Sequence, residues 1–464
     1  MFRTHTCGEL NKKNDGAKVR LCGWVDIFKD RGKLGFINLR DKYGITQIFV
    51  PGNVLDNIKN LRKESVVQVI GKVKVRPQAN AKLKTGEIEV EAEEINILSL
   101  AEPLPMEIGD DKATEDTRLK YRYLDLRRPK LQTNLELRHK AILLMRNFLH
   151  EKGFLEITTP MLTKSSPEGA RDYLVPSRIH KEEFYALPQS PQQYKQLLMV
   201  AGCDKYFQIA PCFRDEAARS HRCPGEFYQL DMEMSFVTQE QILEIVEELM
   251  LKIIKDVFPD KKLTFKKFPR LSYDEVMSKY KSDCPDLRKN KDDPNELAFC
   301  WVIDFPLFTE QTEEDFFHGA GDKWGPSHHM FTMPKEEDII LLDTDPGKVK
   351  AYQHDLVLNG FEVGGGSIRI HNAKIQEKIF DLIGFNAEQK KAFEHMLTAF
   401  KYGVPPHGGI APGIDRLLMV IMGAKSIRES IAFPKNKDAK DLTMGAPSKV
   451  DKKQLDDLNI QIKK

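Results

Sequence analysis

Arginines and carboxylates gather in two stretches of this chain, in patterns suited to gripping phosphate and carboxylate oxygens. Residues 213–234 open with Arg214 beside Asp215 and Glu216, add Arg219, His221 and Arg222, turn at Pro224-Gly225, and then alternate. Phe227, Gln229, Asp231 and Glu233 share one face of that last part; Tyr228, Leu230, Met232 and Met234 share the other. A period of two predicts strand, loop, strand, with the basic residues in or near the loop. An arginine fork can hold two oxygens at once. Taken alone, the hairpin reads equally well as a solvated charged surface. The second stretch, residues 408–419, is a glycine-rich strand end entering an apolar helix, with Arg416 in its first turn.

Before and between these stretches lie further groups that could do chemistry. Gln192 and Lys195 are three apart, which places both on one face of a helix. Asp355 and Glu362 could together hold Mg²⁺ on a polyphosphate, because a hard divalent cation takes a few carboxylates and completes its shell with phosphate oxygens. Gly364, Gly365 and Gly366 would let a ligand approach the backbone, and Arg369 can present a fork to a carboxylate. His328 and His329 are adjacent before an apolar run read as a strand, so the two rings should point to opposite sides and not share a metal.

The surrounding elements must hold these groups in place. Residues 1–103 contain five short alternating segments, at 19–25, 35–40, 45–50, 66–75 and 87–98, which predict a small β-barrel. Phe36, Asn38 and Arg40 would share one strand face, and Gln47 and Phe49 a face of the next, with Lys29, Arg31 and Lys33 in the turn before them. Such a face suits unstacked nucleotide bases, although strand aromatics are more often core. Residues 104–125 read as a hinge without amphipathic period, followed by a helix over 131–152 ended by Gly153. Residues 237–257 predict a further amphipathic helix. The chain of 464 residues is long enough for two or three domains, and its net charge of +2 means that any nucleic-acid surface is a local patch. Seven cysteines without C-x-x-C spacing suggest neither a zinc site nor a disulfide framework. No run of 18 apolar residues and no apolar leader is present, so a soluble cytoplasmic protein with no membrane partner is expected.

The two arginine-bearing stretches resemble the second and third signature motifs of the class II aminoacyl-tRNA synthetases, and the chain as a whole is similar to the bacterial aspartyl branch of that family. The resemblance implies an α+β fold: an OB-fold anticodon-binding barrel over 1–103, a hinge over 104–125, and a class II catalytic domain over 126–464 built on an antiparallel sheet flanked by helices. The helix and strand near 131–159 look like motif 1, implying a homodimer. Bacterial members carry an insertion domain where this chain has only the polar residues 289–296.

By the same resemblance, Glu168, Gln192, Lys195, Arg214, Asp231, His328 and Arg369 would bind aspartate, with residues 165–173 as a lid. ATP would meet Arg214, Asp215, Glu216, Glu362, Gly413, Ile414, Asp415 and Arg416, with Mg²⁺ on Asp355 and Glu362. Arg214, Glu362 and Arg416 would be the catalytic groups. Phe36, Gln47 and Arg31 would read the anticodon. Lys195 and Arg369, steadied by Asp231, demand an anionic side chain, which favours aspartate over lysine or asparagine. The implied activity is aspartyl-adenylate formation from ATP and transfer to tRNA-Asp, and the charge of Arg31 leans toward tRNA-Asn as a second acceptor. The rival expectation is a non-catalytic, OB-fold nucleic-acid-binding paralogue of such an enzyme.

Overall fold

The computed structural model describes residues 2–109, 112–165, 169–217, 219–221, 225–311 and 323–463. Glu168 of the expected aspartate site, and Arg222 with Cys223 in the hairpin, lie outside the described residues. The chain divides into two compact units, Met1–Arg128 and Pro129–Lys464.

The first unit is a closed barrel of strands β1 (Lys18–Asp30), β2 (Leu34–Arg40), β3 (Ile45–Pro51), β4 (Val66–Val75) and β5 (Ile88–Ser99), in the order β1-β2-β3-β5-β4. Alternation builds it: Ile37, Leu39, Ile48 and Val50 point inward and are fully buried, while Phe36, Asn38, Gln47 and Phe49 face outward. β1 runs five residues past its expected end because its second half pairs with β2 after its first half has paired with β4. Lys29 is therefore a strand residue, and the turn holds only Arg31, Gly32 and Lys33. The expected hinge is more ordered than its composition suggests. Residues Glu115–Lys120 and Arg122–Asp125 are short helices, and buried Asp125 collects Arg118, Arg122 and Arg128.

The second unit is organised by an eight-stranded sheet. Its strands are β6 (Leu155–Glu156), β7 (Lys205–Arg214), β8 (Gly225–Ser235), β9 (Arg270–Ser272), β10 (Phe299–Ile303), β11 (Gln353–Leu358), β12 (Phe361–Ile368) and β13 (His407–Pro412). Their order is β9-β10-β11-β12-β13-β8-β7-β6; the two outermost pairs are parallel and the rest antiparallel. Helices α1 (Pro129–Glu151), α3 (Gln239–Val257) and α4 (Ile414–Met422) cover one face. Proline opens α1, where its missing N–H costs nothing, and a Thr238/Gln241 capping box opens α3. From β8, Leu230, Met232 and Met234 enter that core. Asp231 and Glu233 necessarily point to the other face, where helix α2 (Gln192–Val200) meets them. The short 289–296 segment is a tight loop closed by Glu296, whose carboxylate accepts from the backbone N–H of Lys289 (2.9 Å) and Asn290 (2.8 Å).

Candidate active site

The face of the sheet opposite α1, α3 and α4 carries a buried charge cluster. Lys195 Nζ, from α2, lies 3.0 Å from Asp231 Oδ2 and 3.2 Å from Glu233 Oε2. Arg369 follows β12 and donates from Nε and Nη2 to the two oxygens of Glu233, at 2.9 and 3.2 Å. Its Nη1 donates to Ser367 Oγ and His329 Nε2, each at 2.7 Å. All four charged residues are 2% exposed or less, so each must be paired in place. Glu233 carries the closest ties: burial alone would raise its carboxyl, but Arg369 and then Lys195 outweigh burial and hold it down to about 2. Asp231 goes the other way, because burial dominates and it shares Lys195 without touching Arg369. The two cations expected to be steadied by Asp231 thus belong to a balanced quartet, with Arg369's fork seated on Glu233.

Counting donors shows what remains open. Lysine has three N–H donors and arginine five. Two of Lys195's and four of Arg369's are used within the described residues, leaving one each. Asp231 Oδ1 is buried without a hydrogen-bond partner. Two spare donors beside one spare acceptor, in a cavity also lined by Gln192, His328, His329 and Arg214, fit a ligand carrying both an anion and a cation.

The two histidines do not diverge as an extended chain would require. Residues 327–331 are bends and turns, not a strand, and both rings line this cavity. His328 Nε2 is 3.2 Å from Asp355 Oδ2; burial opposes its charge, but Asp355 and Glu362 raise its pKa on balance. His329 is driven well below its usual value by burial and by Arg369, so it stays neutral and can accept from that guanidinium.

A second cavity adjoins the first. Arg214, at the end of β7, stacks over the Phe227 ring at 5.0 Å. Glu216, His221, Gly413 and Arg416 line the cavity with it. Arg416 Nη1 donates to the Glu362 carbonyl at 2.6 Å and sits 3.6 Å from its carboxylate. Arg214, Gln229, Glu362 and Ala411 line both cavities and form a shared wall.

Neighbours of these residues have other roles. Ile414 is fully buried in the apolar core and does not line the cavity, because one step along a helix turns the side chain by about 100°. Asp415 reaches the cavity edge but is occupied: it accepts from the Tyr228 N–H at 2.8 Å and is paired with Arg138 of α1. Asp215 is exposed and bridges to Arg171 at the rim.

Asp355 and Glu362 meet over Gly365, where an added Cβ would sit 3.2 Å from Asp355 Oδ1 and 3.4 Å from Glu362 Oε1. Burial and the Asp355 charge raise the Glu362 carboxyl, so the pair is short of positive charge. Two crowded carboxylates at a polar cavity fit a hard divalent cation that brings its remaining ligands with it.

On the barrel, Phe36 and Phe49 pack at 5.7 Å on the outer face, half-exposed, which removes them from the core. Gln47 beside them donates to Glu89 at 2.8 Å, and Arg31 is exposed at the turn.

Comparison with known proteins assigns this arrangement. Residues 114–437 match the model of tRNA synthetases class II (D, K and N). The chain belongs to that family. Residues 19–98 match the OB-fold nucleic acid binding domain. Among curated relatives of this class II synthetase, the aspartate–tRNA(Asp/Asn) ligase of Dehalococcoides mccartyi strain CBDB1 is 41% identical, with 100% of this chain and 99% of that protein covered. The aspartate–tRNA ligase of Bacillus licheniformis is 39% identical over 100% and 99% of the two chains. The first alignment runs over 603 positions against 464 residues here, as expected if the relatives hold an extra internal segment. The asparaginyl-tRNA synthetase of Pyrococcus horikoshii, solved with asparaginyl-adenylate, superposes with a TM-score of 0.76 at 25% identity, covering 94% of this chain and 98% of that one.

Of the site residues read from sequence, Gln192, Lys195, Arg214, Asp231, His328 and Arg369 converge on one cavity, and Glu216, Glu362, Gly413 and Arg416 on the other. Glu233, His329 and Ser367 were missed. The alternation already placed Glu233 on the face of Asp231, which was the available signal.

Proposed function

We propose that this chain is an aspartate–tRNA ligase, activating L-aspartate with ATP and transferring it to tRNA-Asp. The observation that carries the choice of amino acid is the donor count: the single spare N–H on each of Lys195 and Arg369 suits a side-chain carboxylate. Asparagine would set its own amide N–H against one of them, and an unpaired buried donor costs about 1–3 kcal/mol.

Activation requires a carboxylate to attack a polyphosphate. The aspartate α-carboxylate oxygen bonds to the α-phosphorus, and the bond from that phosphorus to the leaving pyrophosphate breaks. Arg214, on the wall common to both cavities, would hold the α-phosphate and the attacking carboxylate together, and Arg416 would hold the terminal phosphate. Asp355 and Glu362 would hold Mg²⁺, which neutralises phosphate charge when bound. The chemistry is positioning plus electrostatic stabilisation, without a protein nucleophile. A terminal ribose hydroxyl of the tRNA then attacks the aspartyl carbonyl and releases AMP.

Residues 1–103 would read the anticodon through Phe36, Gln47 and Arg31, and residues 126–464 would do the chemistry. Exposed Leu143 on α1, with Leu155 and Leu162 beyond it, supports a homodimer through this region; a cytoplasmic enzyme accords with the absence, among the described residues, of a helix able to cross a membrane. Pyrophosphate exchange by the purified protein should depend on aspartate and not on asparagine. Equal exchange with asparagine would refute the specificity, and no exchange would favour the non-catalytic paralogue. The exposed charge of Arg31 adds attraction without base selectivity, which favours tRNA-Asn as a second acceptor. Side-by-side charging of tRNA-Asp and tRNA-Asn transcripts decides this, and undetectable aspartyl-tRNA-Asn at high enzyme concentration would overturn it.

A further inference from the structure

Behind Gln192 lies a line of buried polar groups to which the mechanism gives no role. Gln192 Nε2 is 3.0 Å from Gln196 Oε1, Gln196 Nε2 is 3.1 Å from His407 Nε2, and His407 Nδ1 is 2.8 Å from the Pro405 carbonyl oxygen. Gln196 and His407 are fully buried, and Gln192 is 7% exposed.

The direction of this line follows from its far end. A backbone carbonyl can only accept, so Nδ1 of His407 must carry the proton. The ring is neutral, since burial lowers its pKa, and Nε2 is then an acceptor. Gln196 must turn its NH₂ toward that nitrogen, which leaves its oxygen facing Gln192. Gln192 must donate in turn, so its own amide oxygen is the end left over. The amide orientations are thereby set by a carbonyl that cannot change role. That oxygen has no partner among the described residues, and Gln192 lines the cavity that also holds the unpartnered Asp231 Oδ1.

We infer that Gln196 and His407 are positioning residues that hold Gln192 with its amide oxygen toward the cavity, where, with Asp231 Oδ1, it accepts from the α-ammonium of the amino-acid substrate. The inference rests on the proposed function, since it needs an amino acid in that cavity. The carboxylate and ammonium ends of the substrate are then read by separate sets of groups: Lys195 with Arg369 for one, and Gln192 with Asp231 for the other.

Succinate has the carbon chain and both carboxylates of aspartate and lacks the amino group, so it separates the two sets. The measurement is pyrophosphate exchange by the full-length protein, with KM for aspartate and for ATP and the inhibition constant of succinate. Gln196→Leu frees the Gln192 amide and should raise KM for aspartate about tenfold, the worth of one net hydrogen bond, with succinate inhibition and KM for ATP unchanged. Gln196→Glu should restore KM, because its carboxylate accepts from Gln192 and from a His407 protonated on both nitrogens. His407→Phe, which keeps ring volume and removes the acceptor, should repeat the selective loss and guards against a folding defect in Gln196→Leu. Equal weakening of aspartate and succinate, or failure of Gln196→Glu to restore, would overturn the inference while the proposed function stands. Absence of aspartate-dependent exchange in the unmodified protein would remove both.

Discussion

Lysine and arginine can share a buried cavity here because Glu233 sits between them. This changes what Arg369→Leu must do. Loss of the fork should abolish aspartate-dependent exchange, and it also strands a buried carboxylate at a cost of about 3–5 kcal/mol. We expect Arg369→Leu to be inactive and destabilised by that amount in denaturant unfolding. Adding Glu233→Gln should recover most of the stability and none of the activity. If the single mutant keeps both stability and exchange, the quartet is not as described. Much of this site was legible in the sequence through the resemblance of its motifs to a known family, since Arg214, Lys195, Gln192 and Arg369 taken singly read equally well as solvated surface. Glu233 was not, because its role arises from β8 lying beside β13 in the sheet, a pairing that no local spacing reports. Ile414 stays out of the cavity for the opposite reason: adjacency to Arg416 in the chain is not adjacency on a helix, whereas Asp415 does line it.

The β11–β12 hairpin shows why two of its three consecutive glycines are needed for different purposes. At Gly366 an added Cβ would lie 2.2 Å from the Gly409 carbonyl oxygen, a backbone atom locked in the sheet. At Gly365 it would meet only side-chain ends, those of Asp355 and Glu362 and, farther off, Gln353. Gly366→Ala should therefore lower the melting temperature markedly, whereas Gly365→Ala should fold normally and need a higher Mg²⁺ concentration for exchange. A Gly365→Ala enzyme with unchanged Mg²⁺ dependence would separate these carboxylates from the metal. On the barrel, the outward Phe36 is free to stack on a base, which is worth about 1–3 kcal/mol. Phe36→Ala should raise KM for tRNA about tenfold or more and leave exchange untouched; an equal fall in both would make it a structural residue. The barrel strands were readable because one face of each is buried. The order in residues 104–125 was not, because the arginines that organise it around Asp125 look from composition like solvated charge.

Across the whole fold, stability should depend on acid through buried neutral histidines. His354 is held down to about 3, by burial first and Arg369 second, against a usual value near 6.5. His329 and His407 are shifted the same way. The unfolded chain binds these protons more readily than the folded one, so the stabilisation is complete above about pH 6.5 and is lost as pH falls; for His354 the loss runs toward pH 3, at about 1.4 kcal/mol per pH unit. Denaturant midpoints should fall steadily from pH 7 to 4, and His354→Gln should flatten the slope by about one ring's share; an unchanged slope would show that His354 is protonated in the fold. None of this was visible in the sequence, where His354 stands between Gln353 and Asp355 like a solvated residue, and its burial depends on strands on both sides.

The wall shared by the two cavities makes the aspartyl-adenylate of the proposed reaction a bivalent ligand. Once acyl and nucleotide parts are one molecule, release of either half leaves it tethered by the other, at an effective concentration that favours return. An activated ester that is slow to leave can wait for a tRNA to arrive, and both halves remain held until the acyl group departs.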